Sequence, residues 1–497
     1  MLASRVRTLV DAAPDRRGDY VLYWMQAYRR LSHNHALDYA LTQARTLRKP
    51  LVVYEGLRAD YRWASDRTHR ILLEGMVANA ATAKVVGVNY WPYAETPDQP
   101  ARGLLAKLCA KAAFVVTDDY PCFVVPAQIE ALARQIDKPF VAIDGNCIVP
   151  LALLGAPVAA AAHLRPRIHR LFADAWPHRA ANAPDFPRSP QITPPFQLFD
   201  VDCDLGAFVE SLPIDHAVES VVAEPGGTPA GRTRLHEFLA RKLPDYAEGR
   251  NTPGPPEATK SSQLSAYLRN GHLSIEEVVA EVLATTGQWD ETKLTGRKRN
   301  RKDEFYCDDI NVNAFLDEAI TWRDVGYLWH KTRRADATRL DTALPAWALA
   351  TLRKHEADRR EFHYELDEWE AAATHDELWN AAQRELRATG RIHNYMRMLW
   401  GKKVIEWSST PAEAYATLEH LNNKYAVDGR DPNSYTGILW CFGLCDRPWP
   451  PERSVFGTVR YMSSASTTRK FDVKPYLSYT CALSPSEGPA RPGSGCK

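Results

Sequence analysis

The chain has 497 residues, too many for one ordinary core, so two or more domains are expected. Its 62 Lys and Arg balance 61 Asp and Glu, which excludes a globally basic nucleic-acid binder and leaves any such surface local. No apolar run is long enough for a bilayer and no signal-peptide pattern opens the chain, while nine scattered cysteines, odd in number, read as reduced thiols of a cytoplasmic protein and not as a zinc site.

Tyr20–Met25 is a continuous apolar run, as required of a strand buried on both faces. An amphipathic helix follows from Asn34 to Arg48, then a strand over Leu51–Tyr54. Lys84–Val88, Phe114–Thr117 and Phe140–Asp144 read as further strands with helical pattern between them. This alternation predicts an α/β domain over 1–170 with a parallel, doubly wound sheet. No Gly-x-Gly-x-x-Gly follows the first strand, so a dinucleotide fingerprint is absent.

Residues 171–231 are rich in Pro and Gly and read as an extended interdomain linker. From 232 to 480 helical patterns dominate, predicting an all-α domain. The Pro/Gly/Ser-rich end, 481–497, reads as a disordered tail. Within the helical half, 287–309 carries the basic cluster Arg297–Lys302, either a solvated loop or a phosphate contact. His330–Arg334 follows Tyr327-Leu-Trp329, an interleaving of basic and aromatic residues that suits a nucleic-acid surface.

Several stretches can carry chemistry. Thr374–Trp407 reads as helix and holds three tryptophans, Trp379, Trp400 and Trp407, near Arg397. Trp400 and Trp407 are seven apart and nearly share a face, which core filling alone can also explain. Thr259–Ser265 is a hydroxyl-rich turn ahead of a helix, a seat for pyrophosphate or an ordinary cap. Glu318 and Trp322 are four apart on one helical face, where a carboxylate beside an indole can hold a nucleobase. Asp428-Gly-Arg-Asp-Pro-Asn433 is a loop by its turn chemistry and dense in side-chain acceptors.

Together these residues resemble class II cyclobutane-pyrimidine-dimer photolyases, of the photolyase/cryptochrome family. The resemblance runs from Val21-Leu-Tyr-Trp-Met25 to Lys470-Phe-Asp-Val-Lys474. It is most specific at Thr374–Asn380, Tyr395-Met-Arg-Met398 with Trp400, Lys402-Lys403, Glu406-Trp407, Asp428–Asn433 and Arg460-Tyr-Met462. It implies a Rossmann-like α/β domain joined by a long linker to an all-helical FAD-binding domain. The implied activity is light-driven repair of cyclobutane pyrimidine dimers in UV-damaged DNA, by electron transfer from excited reduced FAD to a flipped-out dimer. A cytoplasmic monomer with no membrane attachment is expected.

By the same resemblance, Tyr246, Ser262, Gln263, Leu264 and Ser265 hold the ribityl and phosphate parts of FAD. Arg397 and Asp428 form an ion pair beside its ring, and Asn422 faces the flavin N5. Glu318 hydrogen-bonds the dimer, Trp322 and Trp440 pack on it, and Tyr395 and Met398 line the pocket. Trp379, Trp400 and Trp407 carry electrons to an oxidised flavin, and Arg447, Trp449 and Arg460 meet DNA. An antenna dye such as 8-hydroxy-5-deazaflavin can sit in the N-terminal domain of the family. No general base, nucleophile or metal is required.

The sequence departs from the family pattern at Leu264-Ser-Ala-Tyr-Leu-Arg-Asn-Gly271, at Asn394 and Leu399, before Arg447, and at Ser463–Thr468. Segment 287–309 is an insertion. These departures keep two other readings open, a cryptochrome-like flavin photoreceptor without repair and a non-catalytic DNA-binding relative. Retention of Glu318, Trp322, Trp440 and Met398 favours repair.

Overall fold

A computed structural model describes residues 2–294 and 297–483. The chain forms two compact units. The first comprises Met1–Ala247, Ser262–Ala343 and Asp428–Gly437, and the second Glu248–Ser261, Leu344–Val427 and Ile438–Lys497.

The first unit is built on one six-stranded sheet: β1 (Val6–Val10), β2 (Tyr20–Met25), β3 (Leu51–Leu57), β4 (Asn89–Ala94), β5 (Ala112–Asp118) and β6 (Phe140–Ile143). The spatial order is β1-β6-β5-β2-β3-β4. Five strands run parallel and β1 pairs antiparallel with β6, so the sheet is mixed. β2 is buried along its whole length, as its unbroken apolar run requires. The edge strand β1, Val-Arg-Thr-Leu-Val, escapes the sequence reading because it is short, half-buried and polar in its centre.

Helices connect each parallel strand to the next in sequence. Helix α1 (His35–Leu47) starts where the Asn34 side chain accepts from the Ala36 and Leu37 amides. Helix α2 (Asp66–Val86) corrects the reading of Lys84–Val88 as a strand. In its last turn Val85 faces solvent, 86% exposed, and Gly87 ends the helix at φ 73°. The strand begins only at Asn89.

The strand order reverses between β5 and β2, the place where open α/β sheets form crevices. There the buried Asp118 carboxylate accepts from the Gln26, Ala27 and Tyr28 amides at 2.9, 2.7 and 2.9 Å and from the Tyr23 hydroxyl at 2.7 Å. It fixes the turn leaving β2. A small cleft lined by Tyr28, Arg30, Tyr120, Asn146, Arg323 and Tyr327 opens at these strand ends.

Helix α3 (Ala161–Ala175) reaches into the segment read as linker. Beyond it the Pro-rich chain lies along the edge strand β4. The Ile192 amide donates to Asn89 Oδ1 at 2.8 Å, the Phe199 amide to the Pro92 carbonyl at 2.9 Å, and the Phe196 ring sits among Tyr54, Trp91 and Tyr93. This cover takes up edge groups that would otherwise pair with another chain. The unit's later helices are α4 (Ile275–Ala284), α5 (Ile310–Leu316) and α6 (Arg323–Arg333). Glu276 on α4 ties them to the sheet, accepting from Arg5 at 3.3 Å, the Ala180 amide at 2.9 Å and His35 Nε2 at 2.8 Å.

The second unit is helical. The stretch read as one helix over Thr374–Trp407 is two: α8 (Glu377–Thr389) and α9 (Asn394–Trp407), preceded by α7 (Leu366–Ala371) and followed by α10 (Pro411–Tyr425). Gly390 breaks the run. Its φ of 69° is left-handed, and a Cβ there would stand 2.6 Å from Val427 Cγ1. The last helix is Lys474–Ala482, and the tail read as disordered lies, from Ser484 onward, outside the described residues. Among the described residues no helix is long and apolar enough to cross a membrane, and all eight described cysteines are free thiols.

Candidate functional site

In the second unit the three tryptophans singled out by sequence are buried. Asp376 caps α8 by accepting from the Leu378 and Trp379 amides, which sets Trp379 one turn into the helix. Its ring stacks on Trp400 with centroids 6.5 Å apart and planes 7° apart, and its N–H donates to the Trp400 carbonyl at 3.1 Å. The Trp400 N–H donates to Gln383 Oε1 at 2.9 Å. Trp407, at the end of α9, meets neither ring among the described residues. It stacks instead on Trp369 of α7, at 6.0 Å and 14°, and Trp369 lies edge-on to Trp379 at 4.8 Å. Trp369 escaped the sequence reading because it stands alone in the acidic run Leu-Asp-Glu-Trp-Glu, which resembles a solvated face.

Arg397, Met398 and Tyr395 are half-buried on the first turns of α9. Tyr395 lies edge-on to Phe471 at 4.7 Å, with Lys470 Nζ 4.7 Å from its ring centre. Asn422, near the end of α10, is 3% exposed. Its side chain spends one amide proton on Asn423 Oδ1 at 3.2 Å. On α8, Glu385 is buried and accepts from the Tyr476 hydroxyl at 2.6 Å and the His393 amide at 3.1 Å. Burial pushes its carboxyl up to about 7, against these donors and the nearby Arg397 and Arg391 charges.

The residues expected to meet DNA come together on the surface of this unit. The Trp449 ring is flanked by the Arg447 guanidinium at 4.7 Å and the Arg460 guanidinium at 4.9 Å. Its N–H donates to Asp446 Oδ1 at 3.0 Å, which holds the ring while it stays 37% exposed. Trp440 is half-buried at the end of the helix Pro432–Cys441.

In the first unit Glu318 and Trp322 lie on a π-helical turn, Asp317–Trp322, between α5 and α6. At this wider winding, residues four apart still project to one side, and such turns recur at functional sites. The turn is pinned by Arg165 of α3, whose Nε and Nη2 meet Asp317 Oδ1 and Oδ2 at 2.7 and 2.9 Å. Glu318 and Trp322 themselves are half-buried.

The Asp428–Asn433 loop is organised by Asp431, a residue the sequence reading did not single out within its motif. Asp431 Oδ2 accepts from the Tyr120 hydroxyl at 2.8 Å and the Tyr327 hydroxyl at 3.0 Å. Arg269 Nε donates to the Gly429 carbonyl at 2.8 Å, and Ser434 Oγ to the Asp428 carbonyl at 2.9 Å. Asp428 is half-buried at the head of this loop.

Tyr246 packs among Phe238 and Phe315, with centroids 5.8 and 5.3 Å away. Gln263 takes a left-handed φ of 58° and accepts from Arg234 Nη1 at 3.1 Å. Leu264 is buried, Ser262 half-buried, and Ser265 exposed at the start of the short helix Ser265–Arg269.

The structure bears on two basic segments. Tyr327, Trp329 and His330 are buried and Lys331 pairs with Asp119, so the aromatic part of this stretch is core, while Arg333 and Arg334 at its end are exposed. In 287–309, Arg297 pairs with Asp308, Lys298 with Glu304, and Arg301 with Asp303 and Glu304. Much of the cluster's charge is thus met by its own acids, while Phe305 stacks on His169 of α3 at 3.6 Å. Among the described residues no group of three or more His, Cys, Asp or Glu is placed to hold a metal ion.

No protein-family model matches the chain. It is 34% identical to the deoxyribodipyrimidine photo-lyase of Methanothermobacter thermautotrophicus over 480 residues, 96% of this chain and 97% of that one. It is 32% identical to the rice (Oryza sativa subsp. japonica) enzyme of the same name, over 97% of this chain and 91% of that one. The same-named protein of Potorous tridactylus is 31% identical, over 92% and 80% of the two chains. Among solved structures, a class III photolyase from Agrobacterium tumefaciens matches with a TM-score of 0.67 at 17% identity, covering 94% of this chain and 86% of that one. A Synechocystis cryptochrome matches at 0.66 and 16% identity, covering 93% and 88%. These two share the fold, an α/β sheet unit followed by helices. With such identity sustained over nearly the whole of both chains, the protein belongs to the deoxyribodipyrimidine photo-lyase family.

Proposed function

We propose that the protein is a light-driven, FAD-dependent enzyme that reverses cyclobutane pyrimidine dimers in UV-damaged DNA, working as a cytoplasmic monomer. The observation that carries this reading is the 34% identity to a deoxyribodipyrimidine photo-lyase over 97% of that protein's length.

The donor chemistry suits FAD. Ser262, Gln263 and Ser265 offer hydroxyl and amide groups to phosphate or ribityl oxygens, with Arg234 beside Gln263. Asn422 is buried and keeps a second amide proton and its carbonyl for a ring edge. Tyr246, Leu264, Arg397 and Asp428 complete the set by the motif match. When bound, FAD supplies the light-absorbing one-electron donor.

Glu318 holds the pyrimidine carbonyl and amide edge of the dimer by hydrogen bonds, on a turn that Arg165 keeps from relaxing. Trp322, Trp440, Tyr395 and Met398 supply the apolar walls that accept an unstacked base. Arg447 and Arg460 meet phosphates around Trp449, whose ring can replace a base in the stack. Trp379, Trp400 and Trp407 conduct electrons inward to restore the reduced cofactor.

A second reading is a flavin photoreceptor, favoured by the 0.66 TM-score to a cryptochrome. Illumination of the FAD-loaded protein with a dimer-containing oligonucleotide separates the two. Loss of dimer in light but not in darkness supports repair. Flavin photoreduction with every dimer intact supports the receptor.

A further inference from the structure

We propose that Trp369 is a fourth redox-active indole that relays electrons between Trp407 and Trp379. This rests on the reading of the tryptophans as a conduit to FAD, and assigns its order and one more member.

Ring contact runs Trp400–Trp379–Trp369–Trp407, with centroid spacings of 6.5, 4.8 and 6.0 Å. Among the described residues Trp407 has ring contacts with Trp369, Phe362, Tyr364 and His375, and none with Trp379 or Trp400. Phe362 is too hard to oxidise to serve, and His375 is exposed. Trp369 is 1% exposed and touches both of the indoles it would connect. It also sits edge-on to Tyr364 at 5.1 Å.

The surroundings suit electron movement without proton loss. The Trp379 and Trp400 N–H groups donate to a backbone carbonyl and a side-chain amide, neither basic enough to strip a proton from an oxidised indole. Each hop is one electron. Oxidised Trp400 takes an electron from Trp379, Trp379 from Trp369, and Trp369 from Trp407, and each donor is left one electron short until the next hop. Trp407 is refilled by a soluble one-electron reductant such as a thiol. The charge is thus carried away from the cofactor through rings in contact, and recombination becomes slow.

Transient absorption of the FAD-loaded protein, started with the flavin oxidised, tests this with W369F, W400F and W407F. W369F keeps a ring in the core and is expected to melt near the parent protein. In W369F the long-lived oxidised-indole signal is expected to be lost, the charge recombining from Trp379. An unchanged yield and lifetime in W369F overturns the proposal. Removing Trp407 leaves Trp369 as the last indole, so W407F should hold charge longer than the W369F/W407F double variant. Equal lifetimes overturn it also. W400F tests the underlying reading by itself: if it photoreduces like the parent, the tryptophans are not the conduit and the proposal falls with it. If W400F is dead and W369F is normal, only the relay is lost.

Discussion

Trp379 and Trp400 are held together twice, by stacking at 7° between ring planes and by a 3.1 Å hydrogen bond from the Trp379 indole to the Trp400 carbonyl. The bond locks α8 to α9 at the point where the two rings meet. A rotation of either helix that broke the stack would also strand a buried N–H, at a cost of about 1–3 kcal/mol. The two rings are thereby kept in a fixed electronic contact.

Replacing Trp400 by Phe keeps a ring in the core but removes the first oxidisable one. Flavin photoreduction in the presence of a thiol is expected to slow by roughly tenfold or more, equivalent to at least about 1.4 kcal/mol in the barrier. Steady illumination followed by the flavin absorption bands measures it.

Asp431 satisfies two buried tyrosine hydroxyls, Tyr120 and Tyr327. D431A leaves both without an acceptor and is expected to destabilise the protein by about 2–4 kcal/mol. The loop carrying Asp428 loosens with it, so FAD content on purification falls. Thermal melting and the ratio of flavin to protein absorbance check the two effects.

Glu385 makes stability depend on pH. Burial raises its carboxyl from 4.5 to about 7, so the folded protein holds this proton more tightly than the unfolded chain. The contribution is therefore favourable at low pH and is lost as pH rises from 4.5 to about 7, after which it is level. E385Q still accepts from Tyr476 and carries no charge. Its melting temperature should lack this downward slope and exceed that of the parent above pH 7; matching slopes in the two proteins would refute the assignment.

Arg460 and Arg447 bracket Trp449 on the surface. R460A is expected to weaken binding of damaged DNA and lower the salt dependence by about one unit of slope. W449A is expected to cost about 1–3 kcal/mol with the slope unchanged, because stacking releases no counterions. Titrations at several salt concentrations separate charge from stacking.

Much of the fold was legible where a residue's own neighbours in sequence decide it. The unbroken apolar runs of Tyr20–Met25 and Phe114–Thr117 gave buried strands, and Asn34 marked the start of α1. The Val85–Val86 pair misled because β-branched residues suit strands, whereas here they end a helix on its solvent side. Gly390 was present inside the supposed single helix, but its effect depends on Val427, which packs where a Cβ would go. Residues proposed for the site, such as Glu318 and Trp400, came from resemblance. Their supports were not: Arg165 lies 152 positions before Asp317 and Tyr120 lies 311 before Asp431, and nothing local links them. Trp369 was hidden for the same reason, since its role depends on three helices meeting.

The most direct test is light-driven recovery of pyrimidine absorbance in a dimer-containing oligonucleotide, followed with the FAD-loaded, pre-reduced protein and its E318A variant. The account predicts recovery under near-ultraviolet or blue light only, at a yield lowered in E318A while FAD stays bound. No recovery by the parent protein, with flavin photoreduction intact, would contradict it.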